Sequence, residues 1–212
     1  NYDESKVEKI KDAEHQTDVY EDALGTYLVK LSSHSLSAHD STEAAKILFL
    51  IGEFERIADY AMDITESAKE MYEKNIEFSQ PAQKELDVIM SAVEEVVEKA
   101  ITAFTENDLS LAAQVEPLEE VIDDLKSTIK KQHVVRLQCN ECTIGLGFVF
   151  SDLLTVLERI SDHCSNIAGC VIEMSHDSMN MHDYLYKAKH DPNSDFVQQY
   201  KEYSVKYALT RD

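Results

Sequence analysis

Two stretches of the chain each carry a glutamate and an aspartate four residues apart within an apolar pattern. They are Glu55 and Asp59 in "GEFERIADYAMDITESAKEM" (52–71), and Glu158 and Asp162 in "TVLERISDHCSNIAGCVIEM" (155–174). Residues i and i+4 share one face of an α-helix, so each pair can direct two carboxylates at one point. Both pairs fall at the edge of the apolar arc, where a carboxylate is partly desolvated. Such pairs are suited to holding a cation.

The two stretches are copies within an internal repeat whose shift is about 103–105 residues. "ERIADY" aligns with "ERISDH", and an upstream pair, Glu14 and Asp18, corresponds to Glu119 and Asp123. Antiparallel helices joined by a turn bring together residues that are equidistant from that turn. In the first half, the point halfway along the chain between the two acidic pairs lies inside the predicted turn "SSHSLSAHDST". In the second half, the corresponding point lies inside the predicted turn "QCNEC". The repeat therefore predicts that four carboxylates converge in each half.

The candidate metal ligands are the four carboxylates of each half: Glu14, Asp18, Glu55 and Asp59 in the first, and Glu119, Asp123, Glu158 and Asp162 in the second. Clustered carboxylates repel one another, and a bound cation relieves that repulsion. Oxygen ligands with room for water suit Mg²⁺, Ca²⁺, Mn²⁺ or iron better than a structural zinc ion. The alternative is that these acids lie on ordinary solvated helix faces and bind no metal.

The elements that must position these acids are helices. Few glycines (5) and prolines (3), with long runs of Ala, Leu, Glu and Lys, favour an all-helical chain. Six helices are predicted at about 4–32, 42–74, 81–106, 108–137, 145–178 and 194–209, with Ser41 or Thr42 capping the second. Pro117 should kink or restart the fourth helix. An aromatic stripe predicts that the sixth helix closes the second bundle: Phe196, Tyr200, Tyr203 and Tyr207.

Charge and apolar content limit the classes of partner. The chain has 41 acidic and 20 basic residues, a formal charge of −21, which argues against nucleic acid and anionic membrane surfaces as partners. No apolar run is long enough to cross a bilayer. With a start at Asn1, this predicts a soluble intracellular domain of a larger protein.

The four cysteines do not form the pattern of a disulfide framework. For Cys139 and Cys142 in "CNEC", a zinc site, a redox pair and incidental thiols stay open.

The repeated "ER-I-x-D" helices and their upstream Glu-x-x-x-Asp pairs resemble the PhoU family of phosphate-uptake regulators. The tail "NMHDYLYKAKHDPNSDFVQQYKEYSVKYAL" (180–209) is similar to the end of the PhoU-like region of bacterial sodium/phosphate cotransporters. The resemblance implies an all-α fold of two tandem three-helix bundles, residues 1–106 and 107–212. It also implies multinuclear iron or zinc clusters on the eight motif acids, with manganese or magnesium as further options.

The function implied by the resemblance is a cytoplasmic, metal-binding regulatory domain of a sodium-dependent phosphate transporter, without catalysis. Its partner would be the transmembrane transporter portion of the same or another chain, at the cytoplasmic face of the membrane. Alternatives are a free-standing PhoU-type regulator of phosphate ABC transport and its sensor kinase, or a metal-free helical interaction module. A single Glu173-x-x-His176 step makes a di-iron oxidase the weaker hypothesis. A homodimer stays open.

The repeat copies also differ in ways that affect the two sites. Asp63 becomes Asn166 and Tyr60 becomes His163, so the sites can differ in metal or occupancy. In the second half, Glu116 and Glu120 form a rival i,i+4 pair. The arginines beside the motif glutamates are expected to form salt bridges with a neighbouring helix: Arg56 and Arg159.

Overall fold

The computed structural model describes residues 2–139, 141–175, 189, 191 and 194–209, without the side chain of residue 144. The described elements are six α-helices: α1 (Glu4–Ser32), α2 (Ala38–Lys74), α3 (Gln80–Glu106), α4 (Leu109–Gln138), α5 (Ile144–Ser175) and α6 (Asp195–Lys206). The predicted all-α fold of six helices is confirmed. Within the described residues, no helix is both long and apolar enough to cross a bilayer.

The helix ends follow local capping chemistry. Asp108 accepts hydrogen bonds from the amides of the first turn of α4, and Ser194 does the same for α6. Asn75 and Asn107 end α2 and α3 in the left-handed conformation, with φ of 50° and 53°. The predicted start of α2 at residue 42 was wrong. Ser37 is the N-cap, because its hydroxyl accepts from the Asp40 amide at 3.1 Å.

Two helical hairpins form the frame of the molecule. Helices α1 and α2 pack together, as do α4 and α5, and α2 packs on α5 to join the hairpins. Helix α3 packs against both α4 and α5, and α6 packs against α4. The core of the second hairpin therefore includes α3. The domain division predicted from the sequence instead groups α3 with the first hairpin, in residues 1–106. That division into 1–106 and 107–212 stays a prediction.

The main core lies between α3, α4 and α5. Ile89, Val96, Leu118 and Phe150 are fully buried there. The core is not wholly apolar: on its edge, Arg136 of α4 donates from both terminal nitrogens to Glu85 of α3, each bond being 2.6 Å. A bidentate pair of this kind fixes the register of two helices.

Two sequence expectations about α4 and α6 have different outcomes. Pro117 is buried inside α4, and the helix runs continuously from Leu109 to Gln138, so the proline does not restart it. The aromatic stripe of α6 does close the second bundle, since Tyr203 and Tyr207 belong to the main core.

Candidate metal centres

The first acidic cluster lies between α1 and α2. One carboxylate oxygen from each of Glu14, Asp18 and Asp59 lies within 4.8 Å of the others. The fourth predicted residue, Glu55, lies beside them. Burial, followed by the charge of Asp59, raises the pKa of Glu55 to about 6, and Glu21 and Asp18 add to the effect.

The second acidic cluster lies at the corresponding place between α4 and α5. Carboxylate oxygens of Glu119, Asp123 and Asp162 lie within 4.8 Å of one another. Burial raises the pKa of Glu119 to about 8, with further contributions from Glu116 and Asp123. Glu119 forms no ion pair with a described residue, and each of these acids disfavours its charged form.

Glu158 is the fourth predicted residue of the second cluster. Its Oε1 accepts from Lys126 at 2.7 Å, while its buried Oε2 has no hydrogen-bond partner. Burial raises the pKa of both Asp123 and Asp162, and Glu158 is the largest charge contribution to each. The structure thus brings all eight predicted acids into two clusters. Whether they bind metal stays a prediction.

A third group of acids adjoins the second cluster. Carboxylate oxygens of Glu116, Glu119 and Glu120 lie within 4.8 Å of one another. Lys189 pairs with Glu116 at 2.8 Å and also with Glu120. The sequence indicated the Glu116/Glu120 pair but not Lys189, which is 69 residues from Glu120 along the chain. Lys189 therefore compensates two acids of the third group, as Lys126 and Arg159 pair with Glu158 and Asp162 around the second cluster. Glu119 belongs to both groups.

Donor chemistry decides which cation the two clusters could hold. The two clusters between the paired helices offer six possible ligand atoms, and all six are carboxylate oxygens. Among the described residues, no group of possible metal ligands contains a cysteine. Carboxylate oxygens suit iron, manganese, magnesium and calcium. The raised pKa values in both clusters fit a positive charge at these points. Cys139 and Cys142 are free thiols in the turn, while His176 lies outside the described residues.

Both clusters have access to solvent. Asp59 of the first cluster and Asp123 of the second are exposed. The second cluster also borders a cavity of about 1080 Å³ between α2, α4, α5 and α6, lined by Glu119 and Asp162 among others. A cation in the second cluster could therefore be approached from the surface at Asp123 or through this cavity.

The arginines beside the motif glutamates do not reach a neighbouring helix, contrary to the sequence expectation. Arg56 donates to Glu53 at 3.0 Å, and Arg159 donates to Asp162 at 3.3 Å. Both acids are three residues away on the same helix, where side chains meet without tertiary contact.

A buried polar bridge links the helices that carry the two clusters. Glu53 of α2, only 1% exposed, accepts from His163 Nδ1 at 2.8 Å and from Asn166 Nδ2 at 2.7 Å, both on α5. Sequence reasoning missed this bridge. The sequence did contain a signal for it. Glu53 lies on the buried arc of α2, and the second repeat copy has His163 and Asn166 where the first has Tyr60 and Asp63. The bridge therefore connects α2, which carries part of the first cluster, to α5, which carries part of the second.

Comparison with known proteins gives a consistent family. A family model described as "PhoU domain" matches residues 1–68 and 86–171. The chain is 30% identical over 139 residues to "Phosphate-specific transport system accessory protein PhoU homolog 1" of Thermotoga maritima, covering 66% of this chain and 59% of that protein. This chain thus spans about three fifths of that relative's length. A PhoU homolog of Deinococcus radiodurans is 22% identical over 164 residues, covering 76% of this chain and 74% of that protein.

Two solved structures share the fold. PhoU from Pseudomonas aeruginosa matches with a TM-score of 0.75 and 24% identity, covering 84% of each chain. The phosphate transport system regulatory protein PhoU from Streptococcus pneumoniae matches with a TM-score of 0.66 and 17% identity, covering 84% of this chain and 83% of that one. At these identities the likeness concerns the fold of the helical bundle.

Proposed function

Because this chain belongs to the PhoU family, whose members are regulatory accessory proteins rather than enzymes, we propose that it is a metal-binding regulator of a phosphate transporter. The observation that carries the metal assignment is the pair of carboxylate clusters at matching places in the two hairpins. The relatives named for phosphate-specific transport systems support the transport assignment.

The residues that would hold the cations are the eight acids of the two clusters. A bound cation supplies positive charge that offsets the mutual repulsion of these acids. Each cluster takes ligands from both helices of its hairpin, so occupancy favours the arrangement in which α1 lies against α2 and α4 against α5. The Glu53 bridge then connects the two hairpins, because Glu53 lies two residues before Glu55 and His163 directly follows Asp162. In this way occupancy of either cluster biases the packing that a transporter would sense.

Two arrangements of the regulator and its transporter are candidates. A free-standing regulator of a phosphate-specific transport system, located in the cytoplasm, fits the named relatives best. A cytoplasmic domain of a sodium/phosphate cotransporter is the second candidate, favoured by the similarity of residues 180–209 to the end of such proteins. The two differ in whether the transmembrane portion belongs to the same polypeptide.

The test is phosphate uptake by cells that carry the native gene in place of a deletion. A variant with Glu55→Gln, Asp59→Asn, Glu158→Gln and Asp162→Asn keeps the size of each side chain and removes the charges. We expect this variant to change how uptake depends on the external phosphate concentration, while Glu98→Gln, an exposed acid of α3, leaves that dependence as in the wild type. Wild-type dependence in the four-site variant, expressed at the same level, would overturn the proposal.

A further inference from the structure

The first hairpin exposes an apolar stripe along α1. Four residues spaced by three or four positions share one face of this helix, and α2, which packs against α1, adds the exposed Ile47. Tyr20 is 66% exposed, Tyr27 62%, Leu24 45%, Leu31 36% and Ile47 39%. We call these five residues the hairpin face. A contiguous set of large apolar side chains marks an interaction surface more often than isolated ones do.

The internal repeat shows what this face is built to contact. A shift of 105 residues carries Tyr20, Leu24 and Leu31 onto the α4 residues Leu125, Ile129 and Arg136, and a shift of 103 carries Ile47 onto Phe150 of α5. These four counterparts are buried in the second hairpin, whereas Gln132, the counterpart of Tyr27, is half-buried. Arg136 binds Glu85 of α3, and the other three share the main core with α3 residues. In the second hairpin, therefore, a helix lies on this face.

The first hairpin has no such helix within the part of the chain that the structure describes. The only helix that packs against α1 there is α2. The repeat counterpart of α3 is α6, which packs against α4 instead. The hairpin face thus has the position of a helix-binding groove, and no helix of the described residues occupies it.

Charge selects among the possible occupants. Between residues 12 and 31 of α1, the range that contains the stripe, five residues are acidic and one, Lys30, is basic. Two of the acids, Glu14 and Asp18, belong to the first acidic cluster. Together with a formal charge of −21, these acids would repel a second copy of this chain and an anionic lipid surface. A partner with lysine or arginine beside its apolar residues would be attracted.

We propose that the hairpin face binds an amphipathic helix of a partner protein, whose apolar stripe is flanked by basic residues. The apolar contact supplies most of the binding free energy, and the flanking charges select the partner and accelerate association. None of the five residues of the hairpin face belongs to an acidic cluster, and the binding test is made in chelator, so its outcome does not depend on metal binding.

The probe is a pair of synthetic peptides based on α3, the helix that occupies the equivalent groove. One has the sequence of residues 80–106 with its six acids replaced by lysine, and the other has the unchanged sequence. Fluorescence anisotropy measures their binding to the full chain. We expect the basic peptide to bind at least about tenfold more tightly than the acidic one, a difference of about 1.4 kcal/mol.

Matched variants localise the binding. Leu24→Gln with Tyr27→Gln should weaken the basic peptide about tenfold or more. Val29→Gln, also exposed but on the opposite side of α1, should leave binding unchanged. All three positions are exposed, so circular dichroism should show the same helix content in each variant.

Several outcomes would overturn the proposal. The first is equal binding of the basic peptide by the wild type and the double variant. The second is a wild-type dimer in sedimentation that the double variant lacks, which would make a second copy the occupant. The third is binding to vesicles of phosphatidylglycerol and phosphatidylcholine that the double variant loses, which would make a lipid surface the occupant.

Discussion

Replacing Glu119 by glutamine should stabilise the protein when no cation is present. Burial and neighbouring acids raise the pKa of Glu119 from 4.5 to about 8. A carboxyl group whose pKa is higher in the folded chain contributes stability that is fully present below its unfolded pKa. That contribution is lost as the pH rises through the folded pKa. Glutamine resembles the protonated acid at every pH, so Glu119→Gln should help most near pH 8.

The size of the effect follows from the pKa shift. At 1.36 kcal/mol per unit, the full shift corresponds to an upper limit of about 5 kcal/mol. Because neighbouring acids share protons and the cluster can relax, we expect about 1–2 kcal/mol. For a chain of this length that corresponds to a rise in Tm of about 2–8 °C at about pH 8, and to little change at about pH 5.

The assay is thermal unfolding followed by circular dichroism, in chelator and then with added Mn²⁺ or Fe²⁺. The exposed acid variant Glu98→Gln is the control and should leave Tm unchanged. With the cation added, the order should reverse, because ligand binding stabilises the wild type more than a variant lacking one carboxylate. The reasoning is refuted if Glu119→Gln lowers Tm in chelator at about pH 8.

Three further substitutions test the packing. Glu53→Ala leaves the buried His163 Nδ1 and the exposed Asn166 amide of α5 without their acceptor and should lower the free energy of unfolding by about 1–3 kcal/mol in urea denaturation; a loss below about 0.5 kcal/mol would contradict a buried bridge. Arg136→Ala strands the buried Glu85 carboxylate and should cost about 3–5 kcal/mol, whereas Arg136→Met with Glu85→Leu should cost much less, and equal losses would argue against the pair. Gly52→Ala should add about 0.5–1 kcal/mol in urea denaturation, since nothing lies near its added Cβ. Gly147→Ala should not, because its Cβ would meet a buried histidine ring at 2.9 Å; equal gains would contradict that contact.

The helices could be predicted because their signals are local. Long apolar periodicity fixed their number, and polar turns fixed most of their ends to within a few residues. The start of α2 was missed by four positions, because "SSHSLSAHDST" contains several residues that can serve as caps. Only the structure identifies Ser37 as the one whose hydroxyl accepts from the Asp40 amide.

The acidic clusters could be predicted because they combine a local spacing with a repeat. The i,i+4 pairs define a face, and equal distances from the turns define a common level. Contacts between distant parts of the chain had no such signal. The Lys189 ion pairs and the Glu53 bridge join residues far apart in sequence. Arg56 binds Glu53 on its own helix, and its sequence position does not distinguish that partner from an acid on a neighbouring helix.

The place of α3 could not be deduced from the repeat either. Similarity between the halves predicts two equivalent units, but it does not determine which hairpin each third helix covers. The packing of α3 on α4 and α5 follows from its own apolar face, with Ile89 and Val96 fully buried. This choice is also what leaves the hairpin face of α1 and α2 exposed.

The central claim is that the two carboxylate clusters hold cations, and metal content tests it most directly. Elemental mass spectrometry would compare the chain, after anaerobic loading with Fe²⁺ and desalting, with the variant Glu55→Gln/Asp59→Asn/Glu158→Gln/Asp162→Asn. A variant with Glu94→Gln and Glu98→Gln on the exposed side of α3 controls for loss of general acidity. We predict about two or more equivalents of iron, manganese or zinc in the chain and in the control, and a loss in the four-site variant. Equal metal content in all three proteins, or none in any of them, would contradict the claim.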